Sequence, residues 1–268
     1  MGWLADRWHQ VEEEDLTPAA LRRGVPMGFL AMLPLWLAYE VSISQSTGGL
    51  RNASEMVLTL PLRPAAAHLD LVRRCLLGAF AFWALIHCAR RHLAIVPMCL
   101  RIVFEGILGA LLLGPLLVFL MGHLGDALPA LPKLGEHPIG DGTFALFAFG
   151  GAAWEEILFR VGLFALLYLL VAELLAFGGV TGRSLRVGGQ LFAAVLASLA
   201  FAAFHLEPVL RFLGSGGEPF RPALFTYRFL AGMLLVAILR LRGPGVAAWS
   251  HGVFNLALCL GAGPAVFQ

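Results

Sequence analysis

The chain has 268 residues, 59% of them hydrophobic and 13% charged, with a formal net charge of +2 and a mean hydropathy of +0.81. A soluble domain carries about a quarter charged residues and rarely exposes large apolar patches, so this composition excludes an ordinary water-soluble domain. The small net charge also gives no basis for a nucleic-acid partner.

The first 24 residues read as an amphipathic N-terminal segment. Trp3, Leu4, Trp8 and Val11 recur at helical spacing, which suits a helix at the membrane interface. The acidic run Glu12–Asp15 is the wrong start for a secretory signal. Residues 25–268 read as one transmembrane helical domain. Crossing a bilayer as a helix takes roughly 20 apolar residues. That rule predicts an all-α polytopic bundle of about seven spans, near 26–44, 71–89, 103–122, 143–173, 189–210, 222–241 and 245–263. Glycine and proline punctuate the gaps, as at Gly178-Gly179 and Gly243-Pro244-Gly245. The fourth run is too long for a straight span and is expected to tilt, project from the bilayer or bend near Gly150-Gly151. Arginines in alternate loops favour an N-terminus on the inside of a plasma or inner membrane. The four cysteines lie scattered in or near apolar runs, with neither zinc nor disulfide spacing, and read as packing residues.

Charges within spans need a partner or a purpose. Arg101 and Glu105 are four apart and suit a structural ion pair, while Glu40 and Glu173 sit near span ends. The fourth span places Glu155, Glu156 and Arg160 in the interior of an apolar run. On an α-helix Glu156 and Arg160 share a face, and Glu155 points about 100° away from Glu156. Glu155 would then face a hydrated cavity while Arg160 holds Glu156. The alternative is a helix-locking ion pair with the second glutamate as a bystander.

The fifth span carries Phe201 and His205, and the seventh carries His251 and Asn255. Each motif alone admits a bland reading, an interfacial histidine or an interhelical hydrogen bond. Together they place polar groups on three apolar helices, and convergence on one cavity is the least costly way to bury them. Two carboxylates, two imidazoles and an amide suit water-mediated acyl hydrolysis, and could also ligate a metal. The zinc-protease pattern His-Glu-x-x-His is absent, as is a Gly-x-Ser-x-Gly elbow. One difficulty is depth. His205 falls late in its span and His251 early in a span running the same way, so they meet only if the fifth span is extended or the helices are staggered.

These residues resemble the CAAX-processing and bacteriocin-immunity family of intramembrane glutamic proteases, relatives of the type II CAAX prenyl endopeptidases. The family pattern is Glu-Glu-x-x-x-Arg, Phe-x-x-x-His and His-x-x-x-Asn on successive helices. Here it reads Glu155-Glu156…Arg160, Phe201…His205 and His251…Asn255, with Phe159 before the arginine. The resemblance covers residues 143–260. It implies an endopeptidase in which Glu155 and His205 activate a water, His251 and Asn255 bind the oxyanion, and Glu156 and Arg160 support the cavity. It implies no metal or other cofactor. The partners would be the lipid bilayer and a hydrophobic or lipid-anchored peptide, cut near its C-terminus. Two departures are Val161 directly after the arginine, where glycine is frequent, and a long Glu155-to-His205 separation. Transpeptidation of a C-terminal sorting signal stays open as an alternative outcome. So does a non-catalytic scaffold, an immunity protein or a proton-coupled transporter.

Overall fold

A computed structural model describes residues 24–46, 51–124, 142–214 and 216–261, and among these it contains helices and no named strand. The N-terminal segment of residues 1–23 and the stretch 125–141 lie outside the described residues.

The first predicted span is two helices, α1 (Val25–Ala31) and α2 (Leu33–Gln45), bent by 48°. Proline occupies the first turn of each. Pro34 has no N–H to give to the α1 ladder, so the break falls at Met32. Asn52 caps α3 (Ala53–Leu58), its side chain accepting the Ser54 N–H. A 3₁₀ segment (Leu60–His68) leads into α4 (Leu69–Arg90), followed by α5 (Ile95–His123).

The long fourth run is continuous but not uniform. It comprises α6 (Gly142–Glu155), a π-helical stretch (Glu156–Leu163) and α7 (Phe164–Phe177), which together form one apolar span. The change of pattern falls at the Glu-Glu-x-x-x-Arg motif, not at the expected Gly150-Gly151. π-turns are strained and recur at functional sites. After α8 (Gly182–Ala203) and the short α9 (Glu207–Phe212) come α10 (Pro222–Arg242) and α11 (Pro244–Cys259), joined through Gly243 alone.

The fold is an all-α polytopic bundle, and length and composition do not establish the expected seven spans. Among the described residues four helices are long and apolar enough to cross a membrane, or five with the bent α1–α2 pair. α4 has 22 residues but carries Asp70, Arg73, Arg74 and Arg90, and α11 has only 16 residues. The fifth expected span, 189–210, is displaced: α8 starts at Gly182 and ends at Ala203.

α11 is the axis of the bundle, with every residue from Pro244 to Gly252 buried. Small residues let its neighbours approach at backbone distance, the usual means of helix packing where lipid offers no hydrophobic drive. A Cβ on Gly106 of α5 would lie 2.2 Å from the Trp249 Cβ, and one on Gly28 of α1 would lie 3.0 Å from the Gly245 nitrogen. Trp249 donates its indole N–H to the Ala31 carbonyl at 2.7 Å, tying α11 to the end of α1. α2 lies on α6 in the same way, since a Cβ on Gly150 would meet both the Leu35 carbonyl oxygen and the Tyr39 nitrogen at 2.5 Å. The outward faces are apolar, as at Val96, Leu112 and Leu174, which suits contact with acyl chains. The chain is a multi-pass integral membrane protein.

Several charges at span ends are paired. Glu40 does more than reach the interface, because it accepts from both Arg73 (2.9 and 3.0 Å) and Arg74 (2.7 Å). Buried Arg73 also contacts Asp70 (2.7 Å) and fully buried Glu55 (3.3 Å). Arg101 pairs with Glu105 at 2.8 Å as expected, and Arg242 joins the same carboxylate from the end of α10 at 3.0 Å. Of the cysteines read as packing residues, Cys88 is buried but Cys75 is exposed.

Candidate active site

The three motifs meet. Glu155, His205, His251 and Asn255 line one cavity of about 310 Å³, whose walls include Leu113, Phe147, Leu224 and Phe254. Glu156 and Arg160 lie behind it, both almost wholly buried.

His251 is the connecting group. Its Nδ1 lies 2.8 Å from Glu156 Oε1, and its Nε2 lies 3.6 Å from Glu155 Oε2. The adjacent carboxylates thus address opposite edges of one imidazole. The sequence reading assigned Glu156 to Arg160 alone. The structure shows an ion pair between them at 3.4 Å, with His251 on the same carboxylate oxygen. Arg160 meets its surroundings by charge and by ring face. Its guanidinium carbon lies 4.1 Å from the Phe201 ring centroid, and among the described residues its NH1 and NH2 make no hydrogen bond.

Phe201 explains the spacing of the second motif. His205 follows the C-terminal end of α8, where the last carbonyls lack partners within the helix. Its Nδ1 sits 2.8 Å from the Phe201 carbonyl oxygen, four residues back. A carbonyl only accepts, so Nδ1 carries the hydrogen and Nε2 keeps its lone pair. The Phe201 ring makes edge contacts with the His205, His251 and Phe159 rings at 5.0, 5.8 and 5.3 Å. One phenylalanine therefore touches a member of each motif.

The depth problem is settled by stagger. His205 sits past the observed end of α8 at Ala203, though within the expected span, while His251 lies midway along α11, so the two helices are offset along the bundle. The chain after His205 is folded back and pinned, with the Glu218 N–H donating to the His205 carbonyl (3.1 Å) and the Glu207 N–H to the Glu218 carbonyl (2.9 Å). Asn255, one turn beyond His251, donates from Nδ2 to the Ala148 carbonyl at 3.3 Å, leaving its second N–H for another acceptor.

Among the cavity residues that sequence reasoning missed are Asn52 and Arg228. Asn52 donates from Nδ2 to Glu155 Oε1 at 3.0 Å. Arg228 of α10 brings a cation to the wall and pairs with Glu218. Asn52 stands in a short loop with no motif around it. Arg228 left a signal, a basic residue within an apolar run. Among the described residues no group of three or more His, Cys, Asp or Glu side chains is arranged to hold a metal ion.

Residues 142–257 match the family described as type II CAAX prenyl endopeptidase Rce1-like. Over this stretch, which is under half of the chain, the sequence is similar to that family. The matched segment starts with α6 and ends within α11, two residues after Asn255, so it contains all three motifs and every expected site residue. Neither a curated protein nor a solved structure matches the chain. The Rce1-like match supports a membrane protein of the CAAX-protease type.

Proposed function

We propose that the chain is an intramembrane endopeptidase that hydrolyses a peptide bond near the C-terminus of a hydrophobic or lipid-anchored substrate, with Glu155 as the base. The reading rests on one observation: Glu155, His205, His251 and Asn255 share a single apolar-walled cavity inside the bundle. Residues 25–268 act as one protease domain in a plasma or inner membrane, with the N-terminus inside.

Each step uses a group with the right donor or acceptor character. A water held between Glu155 and the bare Nε2 of His205 loses a proton as its oxygen attacks the scissile carbonyl. Negative charge then develops on the carbonyl oxygen. Asn255 Nδ2 can donate to it, as can His251 Nε2 when the imidazole carries both protons, because Nδ1 is already committed to Glu156. The tetrahedral species collapses with cleavage of the C–N bond, and the proton taken from water passes to the leaving amine. Glu156 and Arg160 hold His251 from the side away from the cavity and touch no substrate.

The test is cleavage of an internally quenched peptide with a farnesylated cysteine near its C-terminus, by the full chain in proteoliposomes. Mass spectrometry in heavy-oxygen water should find a single internal cut with one solvent oxygen in the new carboxylate. Turnover by Glu155→Gln equal to that of the unaltered chain would overturn the proposal.

A further inference from the structure

Asn52 lies outside the family-matched stretch and 90 residues before its start, yet its backbone N–H, Oδ1 and Nδ2 each have a specific partner. Its backbone N–H donates to Tyr39 Oη at 2.9 Å, its Oδ1 accepts the Ser54 N–H at 2.9 Å, and its Nδ2 donates to Glu155 Oε1 at 3.0 Å. The helix cap fixes the amide's orientation. An oxygen is required on the Ser54 side, so the NH₂ end must face Glu155, and the two ends cannot be exchanged without losing both bonds.

The loop that presents Asn52 is itself held. Glu55, one turn into α3, is fully buried and bonded by Arg51 Nε (2.8 Å), with Arg73 NH1 (3.3 Å) and the Tyr39 hydroxyl (3.4 Å) on the same carboxylate. Arg73 continues to Glu40 on α2. A buried ionic network spanning α2, α3 and α4 therefore ends in one N–H aimed at one oxygen of Glu155. With Oε1 tied to Asn52, Oε2 is the oxygen turned toward His251.

We infer that Asn52 is a positioning residue for Glu155, selecting which carboxylate oxygen faces the reacting water. This rests on the reading of Glu155 as the base. Groups that orient a reacting side chain in this way are worth about 10- to 100-fold when removed, by analogy with partners of metal ligands.

The test separates the cap from the amide N–H. Serine and aspartate both cap helices well, so Asn52→Ser and Asn52→Asp keep α3 and the backbone bond to Tyr39. Serine is too short to reach Glu155, and aspartate offers no N–H while facing Glu155 with like charge. The variants are made in the full chain, and kcat, KM and Tm are measured with the farnesylated peptide that the unaltered chain cleaves. The expected result is a fall in kcat of about 10- to 100-fold for Asn52→Ser, and more for Asn52→Asp. KM should stay within about twofold and Tm within a few degrees. If both variants keep the original kcat while Glu155→Gln is inactive, the role of Asn52 is overturned and the proposed function stands. If Glu155→Gln keeps the original kcat, the base assignment falls and takes this inference with it. A large drop in Tm with unchanged kcat per folded molecule would assign Asn52 to the cap alone, and also overturns the inference.

Discussion

His251 and Glu156 meet at 2.8 Å between an imidazole on α11 and a carboxylate on the π-helical stretch, 95 residues apart in the chain. The contact fixes the imidazole from behind and leaves its other nitrogen toward Glu155. Glu156 in turn needs Arg160, because a carboxylate at this depth without a cation is costly. The proposed roles of the two neighbouring glutamates differ for this reason, and substitutions should separate them.

Glu155→Gln keeps the shape of the side chain and an oxygen for Asn52, but removes the base. Turnover of the farnesylated peptide should fall by about 10²- to 10⁴-fold, the usual worth of a general base. Unfolding in mixed detergent micelles should show stability within about 1 kcal/mol of the unaltered chain.

Arg160→Met should do the reverse damage first. It leaves Glu156 buried with its charge partner gone, which typically costs about 3–5 kcal/mol. The same unfolding measurement checks it, and a stability equal to that of Glu155→Gln would contradict the supporting role given to Arg160.

Two glycines make a paired comparison. A Cβ on Gly150 would sit 2.5 Å from backbone atoms of α2, which cannot swing aside, so Gly150→Ala should destabilise by about 1–3 kcal/mol. Gly78 lies within α4 with nothing near its missing Cβ, and Gly78→Ala should stabilise by about 0.5–1 kcal/mol. Thermal scans of both variants in one detergent would show the opposite signs.

Gly243 carries the whole connection between α10 and α11 at φ 95°. Gly243→Ala forces a side chain into that left-handed region and should cost about 1–3 kcal/mol. The strain falls on the start of the helix carrying His251, so activity per folded molecule should drop too, which active-site titration against Tm would reveal.

Much of this was legible in the sequence because the environment is lipid. Apolar runs of roughly 20 residues declare themselves, and Glu155, His205, His251 and Asn255 stand out against them because charge in a span needs a reason. The fold class and the convergence of three motifs follow from that contrast. The π-stretch was hidden, since Glu156–Leu163 has the same composition whether its ladder runs i to i+4 or i to i+5. The stagger of α8 and α11 was hidden because the sequence does not show where α8 ends: the expected span ran to 210, whereas the helix stops at Ala203. Asn52 was unreadable for another reason. An asparagine before a short helix looks like any cap, and its link to Glu155 spans 103 residues.

The contact of Gly28 with Gly245 bears on what can be cut out of this protein. The family-matched stretch, 142–257, holds every motif. Its packing extends beyond its own bounds. α11 rests on α1 at backbone distance and hangs its Trp249 indole on the Ala31 carbonyl, while α6 presses against α2 at Gly150. Excised from the N-terminal helices, the stretch would carry all of its chemistry and lack the walls that hold it together. Grafting it onto another membrane scaffold would require those two interfaces to be rebuilt, because the helices that precede the matched stretch clamp the rest.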